Sequence, residues 1–567
     1  LVRALTHQSA PAVEWLMDRF DLDLSVCSRL GGASFPRTHR AKDGTSSFPG
    51  MMITYRLIER LEEIADSGDG RVRIENKANV RRILRDGGGA VVGVEYEKDG
   101  TTRSEYGPVV IATGGFGADF SPSSLLAQVE PQWRKSKCWE GVPLPPLTSL
   151  PTTNGPHCTG DGIKMAVDIG ADTFDMHAVQ VHPTGLVEPK DPDSKVKWLA
   201  AEALRGCGGL LLTNDGQRFA DELGHRDYVT GRMWTVDKAP YRLVLNSAAA
   251  KQISWHCDHY SARGLMKKLS GAELAAEMGI SEAALKATFD NYNHIAETKS
   301  CPFGKKFFNA VPVSTADEFH VAIVTPTVHY TMGGIAGNEH AQILDKSGAV
   351  IPGLYGAGEV LGGIHGSNRL GGSSLLDCVV FGRIAGQDAA RYLLDSALRG
   401  GVAPAAAPGG GETISAGSGS QINISLRPDD NRMTMDITWN KGTGAGAAPA
   451  RAPPAAAPAA APPTAAPAAP AATGKYTLAD VAKHTTEDDC WVAVNGNVYD
   501  VTPFLDEHPG GKKTILIYAG KDASKEFNMM HQPEILTKYG PKFLVGELVE
   551  EGSAPAPAAG AGASAEG

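Results

Sequence analysis

The chain has 567 residues, too many for one ordinary domain, so two or three folded units are expected. Hydrophobic residues make up 42% and charged residues 21%, a soluble globular composition, and no run approaches the roughly 18 consecutive apolar residues that span a bilayer. A net charge of -10 argues against nucleic acid as a partner and suits an enzyme or electron carrier that meets basic surfaces.

The chain opens at Leu1, with no initiator Met and no signal pattern, and reads as the middle of a longer protein; its compartment is left open. The cysteines (Cys27, Cys138, Cys158, Cys207, Cys257, Cys301, Cys378 and Cys490) are scattered with no CxxC pair. That excludes haem attachment through CxxCH and points to reduced thiols. Residues 1 to about 398 mix strand and helix periodicities. Val109-Val110-Ile111 and Gly209-Leu210-Leu211-Leu212 read as strands, and Glu59 to Ala65 as amphipathic helix. The turn Ala112-Thr113-Gly114-Gly115-Phe116-Gly117 follows a strand, and its glycines let the backbone pass close to a cofactor. Thr159-Gly160-Asp161-Gly162 leads into an amphipathic segment, Ile163 to Ile169, and a glycine turn at a helix start favours phosphate. Each signal is weak alone, because most glycine turns are only turns. No Gly-x-Gly-x-x-Gly fingerprint opens the chain.

A denser constellation follows. Its parts are Gln180-Val181-His182-Pro183-Thr184-Gly185, Ala201-Glu202-Ala203-Leu204-Arg205-Gly206, and Arg218-Phe219-Ala220-Asp221-Glu222 running into His225-Arg226-Asp227. Then come His329-Tyr330-Thr331-Met332-Gly333-Gly334, Gly356-Ala357-Gly358-Glu359, and His365-Gly366-Ser367-Asn368-Arg369-Leu370-Gly371-Gly372. In order and spacing these motifs resemble the FAD-dependent fumarate reductase and succinate dehydrogenase flavoprotein family, from about Gly31 to Leu398. Within it, the soluble single-chain fumarate reductases of eukaryotes are most similar.

The resemblance implies an α/β FAD-binding domain, Rossmann-like and three-layered, in two parts at residues 1–179 and 326–398. An α+β capping domain at 180–325 would interrupt it. It implies FAD held by Gly31, Gly32, Ala33 and Ser34, by Ala112, Thr113 and Gly114, by Asp161, by Ser374 and Leu375, and by Glu359 on a ribose or ribityl hydroxyl. The implied substrate is a small dianion with an activated C=C bond, fumarate, reduced to succinate. Arg369, His329 and His182 would grip its carboxylates; the planar fork of an arginine pairs a carboxylate bidentately. Reduced flavin would deliver hydride to one alkene carbon and Arg226 a proton to the other. An arginine, with a pKa above about 12, is an unusual acid. Glu202 and Arg205 match the relay that would refill it. Ala201 stands where the family often carries a hydroxyl. Taken singly, Arg226 or Arg369 is most often a surface ion-pair partner. His182 or His329 alone is no more distinctive than His157, His177, His225, His256, His259 or His365. Their co-occurrence with the motifs singles them out.

Residues 399–474 read as a linker: Gly, Ala, Ser and Pro to about 420, then Ile422 to Trp439, which could form a hairpin or nothing. Thr443 to Gly474 is nearly all Ala and Pro, and its 32 residues could reach on the order of 100 Å as partial polyproline. Such a stretch cannot build a core, so a separate domain is expected at 475–551, followed by a disordered tail at 552–567. Thr477 and Asp480 have helix N-cap spacing, and Cys490 to Tyr499 reads as strand-turn-strand around Asn495-Gly496. In Phe504-Leu505-Asp506-Glu507-His508-Pro509-Gly510-Gly511, Pro and two glycines after His508 set a tight turn that lets backbone approach a flat ligand. One helical excursion later, His531 would face His508 across a common slot. Imidazoles on both faces of an iron leave no open position, which favours electron transfer over oxygen chemistry.

Trp491, Val498-Tyr499-Asp500-Val501-Thr502, Phe504 and His508-Pro509-Gly510-Gly511 are similar to the cytochrome b5 family. That implies a small α+β domain holding haem b, with iron ligands His508 and His531. Met529-Met530 adjoin the second ligand, and Met ligates haem elsewhere, but the family places its ligand at His531. Residues 475–551 carry 13 acidic and 8 basic side chains, which suits a basic docking partner. The combination implies electrons passing from an external donor, an NAD(P)H-dependent cytochrome b5 reductase-like flavoprotein, through haem to FAD and fumarate. The alternatives are reduction of another unsaturated acid, succinate oxidation, or an electron-distributing haem module beside a degenerate flavin domain.

Overall fold

The computed structural model describes residues 1–398 except 43–47, 69 and 122, the strand pair 420–427 and 432–439, and residues 474–549 except 509–511 and 532. Most of the 399–474 linker and the whole of the 552–567 tail lie outside the described residues. The flavin-binding part opens with helices α1 (Val2–Phe20) and α2 (Pro49–Asp66). Pro49 occupies the first turn of α2, where the missing N–H costs no helix bond.

Strand β1 (Val109–Ile111) is followed by the glycine turn and then by α3 (Asp161–Asp168). Next come β2 (Val179–Leu186), the one-turn α4 (Ala203–Gly206), β3 (Leu210–Leu212), α5 (Arg226–Val236), β4 (Tyr241–Asn246) and α6 (Ser254–Ala262). The long β5 (Glu318–Thr331), β6 (Val350–Gly356) and α7 (Ser373–Leu398) complete this part. β6 pairs in parallel with β1, Leu354 opposite Val109 and Gly356 opposite Ile111. Ala357 N–H donates to the Ile111 carbonyl at 3.0 Å. The two turns leaving these strands, 112–115 and 357–359, therefore emerge side by side at the carboxyl ends of parallel strands, where open α/β sheets bind ligands.

A second, antiparallel sheet runs β3-β4-β5-β2. Strands β3 and β4 are buried throughout, and alternation divides them between two cores. Leu211, Leu243 and Leu245 pack with Val229 and Met233 of α5, whereas Leu210, Leu212 and Val244 pack with Leu285, Phe289 and Tyr292. A period of two with helices on both faces is why Leu210-Leu211-Leu212 is uniformly apolar.

The C-terminal domain is a small mixed sheet, with the strand Gly474–Tyr476 beside β9 (Leu544–Leu548), then β8 (Asn497–Asp500), β7 (Asp489–Val494) and the short strand Thr485–Thr486. Asn495 and Gly496 both have positive φ, 52° and 79°, the primed two-residue turn that suits strand twist. Thr477 and Asp480 form a full capping box. Helices α8 (Ser524–Met530) and α9 (Pro533–Tyr539) cover one side, and Cys490, Val492, Val494, Tyr499 and Leu505 form the core.

Residues 1–390 and 472–567 group as one compact unit, and 391–471 as another. In the second, Ser420–Arg427 and Arg432–Trp439 pair antiparallel as a hairpin, which settles the ambiguity at Ile422 to Trp439. All eight cysteines are free. Among the described residues, no helix is long and apolar enough to cross a membrane.

Candidate active site and haem centre

Strand register assembles the polar site. β5 pairs with β2, Thr327 opposite His182, Val328 opposite Val181 and Tyr330 opposite Gln180. His329 is thus the extra residue of a bulge, and bulges re-aim side chains beside functional sites. It meets His182 edge-on, with ring centroids 5.0 Å apart. Both rings are deeply buried, and burial together with nearby guanidiniums holds both well below the usual histidine range, so both are neutral. The Thr184 N–H donates to His182 Nδ1 at 3.2 Å. A neutral ring accepting there carries its proton on Nε2. That Nε2 is buried with no hydrogen-bond partner among the described residues and is free to donate to a ligand. His329 Nδ1 lies 2.7 Å from the Thr153 hydroxyl, which fixes its ring.

Arg226 is the first residue of α5, a position where the helix dipole disfavours a cation and favours an anion. Glu202, just before α4, compensates. Its Oε2 accepts from Arg226 Nε at 3.0 Å and Nη2 at 2.6 Å, while Arg226 Nη1 donates to Gln180 Oε1 at 2.7 Å. Arg205 Nη2 stands 3.8 Å from Glu202 Oε1, and its Nη1 donates to the Glu222 carbonyl at 2.6 Å. Burial pushes the Glu202 carboxyl up, but the Arg226 and Arg205 charges and the Gly31 N–H more than reverse this, so it is ionised. Burial also lowers Arg369 to about 10, helped by Arg226. Arg369 stacks over the Tyr330 ring at 4.4 Å, and its Nε is buried without a hydrogen-bond partner among the described residues. Gln180 ties the group together by donating to the Arg369 carbonyl at 2.8 Å. Arg226 and Arg205 flank the Glu202 carboxylate, Arg369 feels the charges of both Arg226 and Glu202, and the excess positive charge suits a dianion.

The structure brings Arg226, Glu202, Arg205, His182, His329 and Arg369 into one buried cluster. Gln180, Thr184, Thr153, Tyr260 and Tyr330 belong to it too. Gln180, Thr184 and Tyr330 stood inside the motifs, but Thr153 and Tyr260 carry no local signal. Tyr260, from α6, accepts from Ala201 N–H at 3.0 Å and donates to the Leu199 carbonyl at 2.9 Å, fixing the turn that carries Glu202.

The implied FAD contacts divide into two groups. Glu359 Oε1 accepts from Thr331 N–H at 2.8 Å and Oγ1 at 3.0 Å. Burial raises its carboxyl to about 7. A Cβ on Gly115 would collide with this carboxylate, and one on Gly162 with the Thr113 hydroxyl, so the 112–115 turn, the start of α3 and Glu359 converge. Asp161 opens α3 and accepts from the Thr159 hydroxyl at 2.8 Å. Ser374 and Leu375 lie in the first turn of α7, where a Cβ added to Gly50 would lie 3.4 Å from the Leu375 side chain. A buried acid raised by desolvation beside a glycine cradle fits a hydroxyl-bearing cofactor. Gly31 and Gly32, in contrast, pack against the Glu202 carboxylate and the His225 ring, and Gly32 N–H donates to the Leu223 carbonyl at 2.8 Å. Ala33 turns back to Leu30, and the Ser34 carbonyl accepts from Arg29.

In the C-terminal domain the His508 and His531 rings face each other with centroids 6.0 Å apart. That gap accommodates one metal ion with bonds of about 2 Å to each ring. His508 Nδ1 is 3.1 Å from the Thr514 hydroxyl and His531 Nδ1 is 3.2 Å from the Phe527 carbonyl, the outer contacts that orient ligand imidazoles. Burial, with His508 beside it, lowers His531 to about 4, leaving it neutral as a ligand must be. The donor set fits a bis-imidazole haem.

Comparison with known proteins identifies both domains. Residues 1–375 match the FAD binding domain family, and residues 477–549 match the cytochrome b5-like heme/steroid binding domain. A fumarate reductase of Schizosaccharomyces pombe is 47% identical over 399 residues, covering 70% of this chain and 74% of that protein. Fumarate reductase 1 of Saccharomyces cerevisiae is 38% identical, covering 69% of this chain and 81% of that protein. Among solved structures, the open conformation of a flavocytochrome c3 fumarate reductase is 31% identical with a TM-score of 0.52, covering 70% of this chain and 64% of that one. The chain belongs to the FAD-dependent fumarate reductase flavoprotein family of oxidoreductases and carries a cytochrome b5-like haem domain behind its flavin domain.

Proposed function

We propose that this protein reduces fumarate to succinate, with electrons entering through the tethered haem. The observation that carries the proposal is the buried cluster of Arg226 and Arg205 flanking the Glu202 carboxylate with Arg369 electrostatically coupled to them, and with His182 Nε2 and Arg369 Nε unpartnered inside it among the described residues. FAD, when bound, supplies a hydride equivalent to one alkene carbon. The chain's own groups do the rest. Arg369 pairs with one substrate carboxylate, and the His182 and His329 rings donate to the other end. Arg226, held by Glu202 and Gln180, hands a proton from its guanidinium to the second carbon. Glu202, bonded to Arg226 and close to Arg205, relays to the deprotonated Arg226 a proton that enters from solvent by way of Arg205. Hydride plus proton across the C=C bond gives succinate. Burial excludes water and strengthens each electrostatic contact.

His508 and His531 would hold haem b for one-electron delivery, and a cytochrome b5 reductase-like flavoprotein using NAD(P)H is the donor expected. The decisive experiment is stopped-flow. Reduced haem should reoxidise when fumarate is added, and a trace that stays flat rejects the proposal. Running the same assay with acrylate-type and aromatic enoates reports how far Ala201, which offers only a methyl group, relaxes specificity, and mixing oxidised haem with succinate reports the reverse reaction as haem reduction.

A further inference from the structure

Among the described residues, polar contacts at two places join the haem domain to the flavin-binding part, one on α2 and one at Lys77. Glu62, near the end of α2, accepts from Lys538 Nζ at 3.0 Å and from the Tyr539 hydroxyl at 2.9 Å, both at the end of α9. Asp66, one turn on, lies 3.5 Å from the same ammonium. Lys77 reaches Glu507 at 3.6 Å, and Glu507 directly precedes the haem ligand His508. Inside the haem domain, the Phe504 ring packs both on His508, centroids 5.7 Å apart, and on Tyr539, centroids 6.2 Å apart. One aromatic ring thus separates the haem ligand from the side chain that grips Glu62. The principal contact also inverts the expected polarity, since a domain with 13 acids and 8 bases offers a lysine to an acidic helix end. Net charge would not select this face; local placement does.

We propose that the Glu62–Asp66 end of α2 is the docking surface for the chain's own haem domain, engaged through Lys538 and Tyr539 with Glu507–Lys77 beside the haem ligand. This rests on the haem-to-flavin electron route proposed above. Exposed ion pairs hold weakly, so docking is reversible and opens as salt rises. Covalent linkage through residues 391–471 keeps the partners at roughly millimolar effective concentration, enough for a weak contact to be populated.

Two measurements on the full chain, loaded with FAD and haem, test this. A zero-length carboxyl-to-amine crosslinker should join the Glu62 and Lys538 peptides, and Glu62→Gln should abolish that product. In stopped-flow, Glu62→Lys should slow reoxidation of reduced haem by fumarate about tenfold at low salt, because like charges now meet. Adding Lys538→Glu should recover most of the rate. The haem spectrum and fumarate reduction driven by a small dye that bypasses the haem should be unchanged in each variant. Absence of the crosslink, or a Glu62→Lys rate equal to wild type, overturns the docking surface. Haem that fumarate never reoxidises in wild type defeats the electron route instead, and the crosslink still decides the docking.

Discussion

Replacing Glu202 by Gln removes the carboxylate bonded to Arg226 while keeping its shape. In the native site one oxygen, Oε2, accepts both Arg226 bonds, at 2.6 and 3.0 Å, and the other lies 3.8 Å from Arg205. The amide introduced by Glu202→Gln can offer one acceptor to Arg226, but its NH2 group then faces Arg205 as a second donor. The substitution therefore leaves three buried guanidiniums without this counter-charge. Removing one partner of a buried pair costs about 3–5 kcal/mol. Thermal melts of the substrate-free variant should show that loss, and added fumarate, a dianion, should restore part of it. Kinetically, a lost proton relay should lower kcat about 10²- to 10⁴-fold. The equivalent rise in barrier is about 3–5 kcal/mol. KM should not rise, because the carboxylate-gripping groups remain and the site becomes more positive. The assay is dye-driven fumarate reduction across a pH series. A Glu202→Gln enzyme with wild-type kcat would refute the relay, and one with unchanged kcat and raised KM would assign Glu202 to binding instead.

Three further outcomes are expected. Burial raises the Glu359 carboxyl from 4.5 to about 7 in the folded state, so between those values the unfolded chain has lost a proton the folded one keeps, and stability falls as pH rises. In the FAD-free protein that slope amounts to about 3 kcal/mol, and melts of Glu359→Gln across this window should lack it. Tyr260→Phe leaves the Ala201 N–H and Leu199 carbonyl unpaired, which should cost about 1–3 kcal/mol in denaturant unfolding and lower kcat by loosening the Glu202 turn. Lys305→Met breaks the buried network in which Glu222 accepts from Lys305 at 2.7 Å and from Arg218 at 2.7 and 2.8 Å. Burial pushes Glu222 up, but Lys305 and Arg218 prevail and hold it at about 2, so in wild type its stabilisation lasts until pH falls from 4.5 toward that value. In the variant the folded carboxyl moves back up toward 4.5, so the acid-dependent loss below pH 4.5 should shrink, while stability at neutrality falls by about 3–5 kcal/mol, read from melts at several pH values.

Much of the site was legible because local chemistry was dense. His508 beside Pro-Gly-Gly, the Asn495-Gly496 turn and the Thr477 capping box are short-range signals, and each needs only neighbouring residues to act. Arg226, Glu202 and Arg369 were identifiable from motifs, although those motifs lie far apart along the chain. Gly31 and Gly32 show the opposite case. Glycine in a turn says that something approaches closely but not what approaches, and here the neighbours are a carboxylate and a histidine ring. Tyr260 and Thr153 had no signal at all, because a buried tyrosine or threonine in unremarkable sequence becomes a positioning group only through a distant partner.

By itself, the sequence carried the fold class and the candidate haem ligands through motifs that resemble two families, and it carried the Asn495-Gly496 turn and the Thr477 capping box through chemistry that acts over a few residues. Tertiary structure alone decided three things. The register of β5 on β2, with its bulge, puts His329 beside His182. Chain separation hides that pairing, because a slip of one residue would turn each side chain to the other face. Burial sets the protonation states of His182, His329 and Glu359, which depend on desolvation and not on residue type. The pairing of Lys538 on α9 with Glu62 on α2 runs against the sign that the haem domain's net charge suggests.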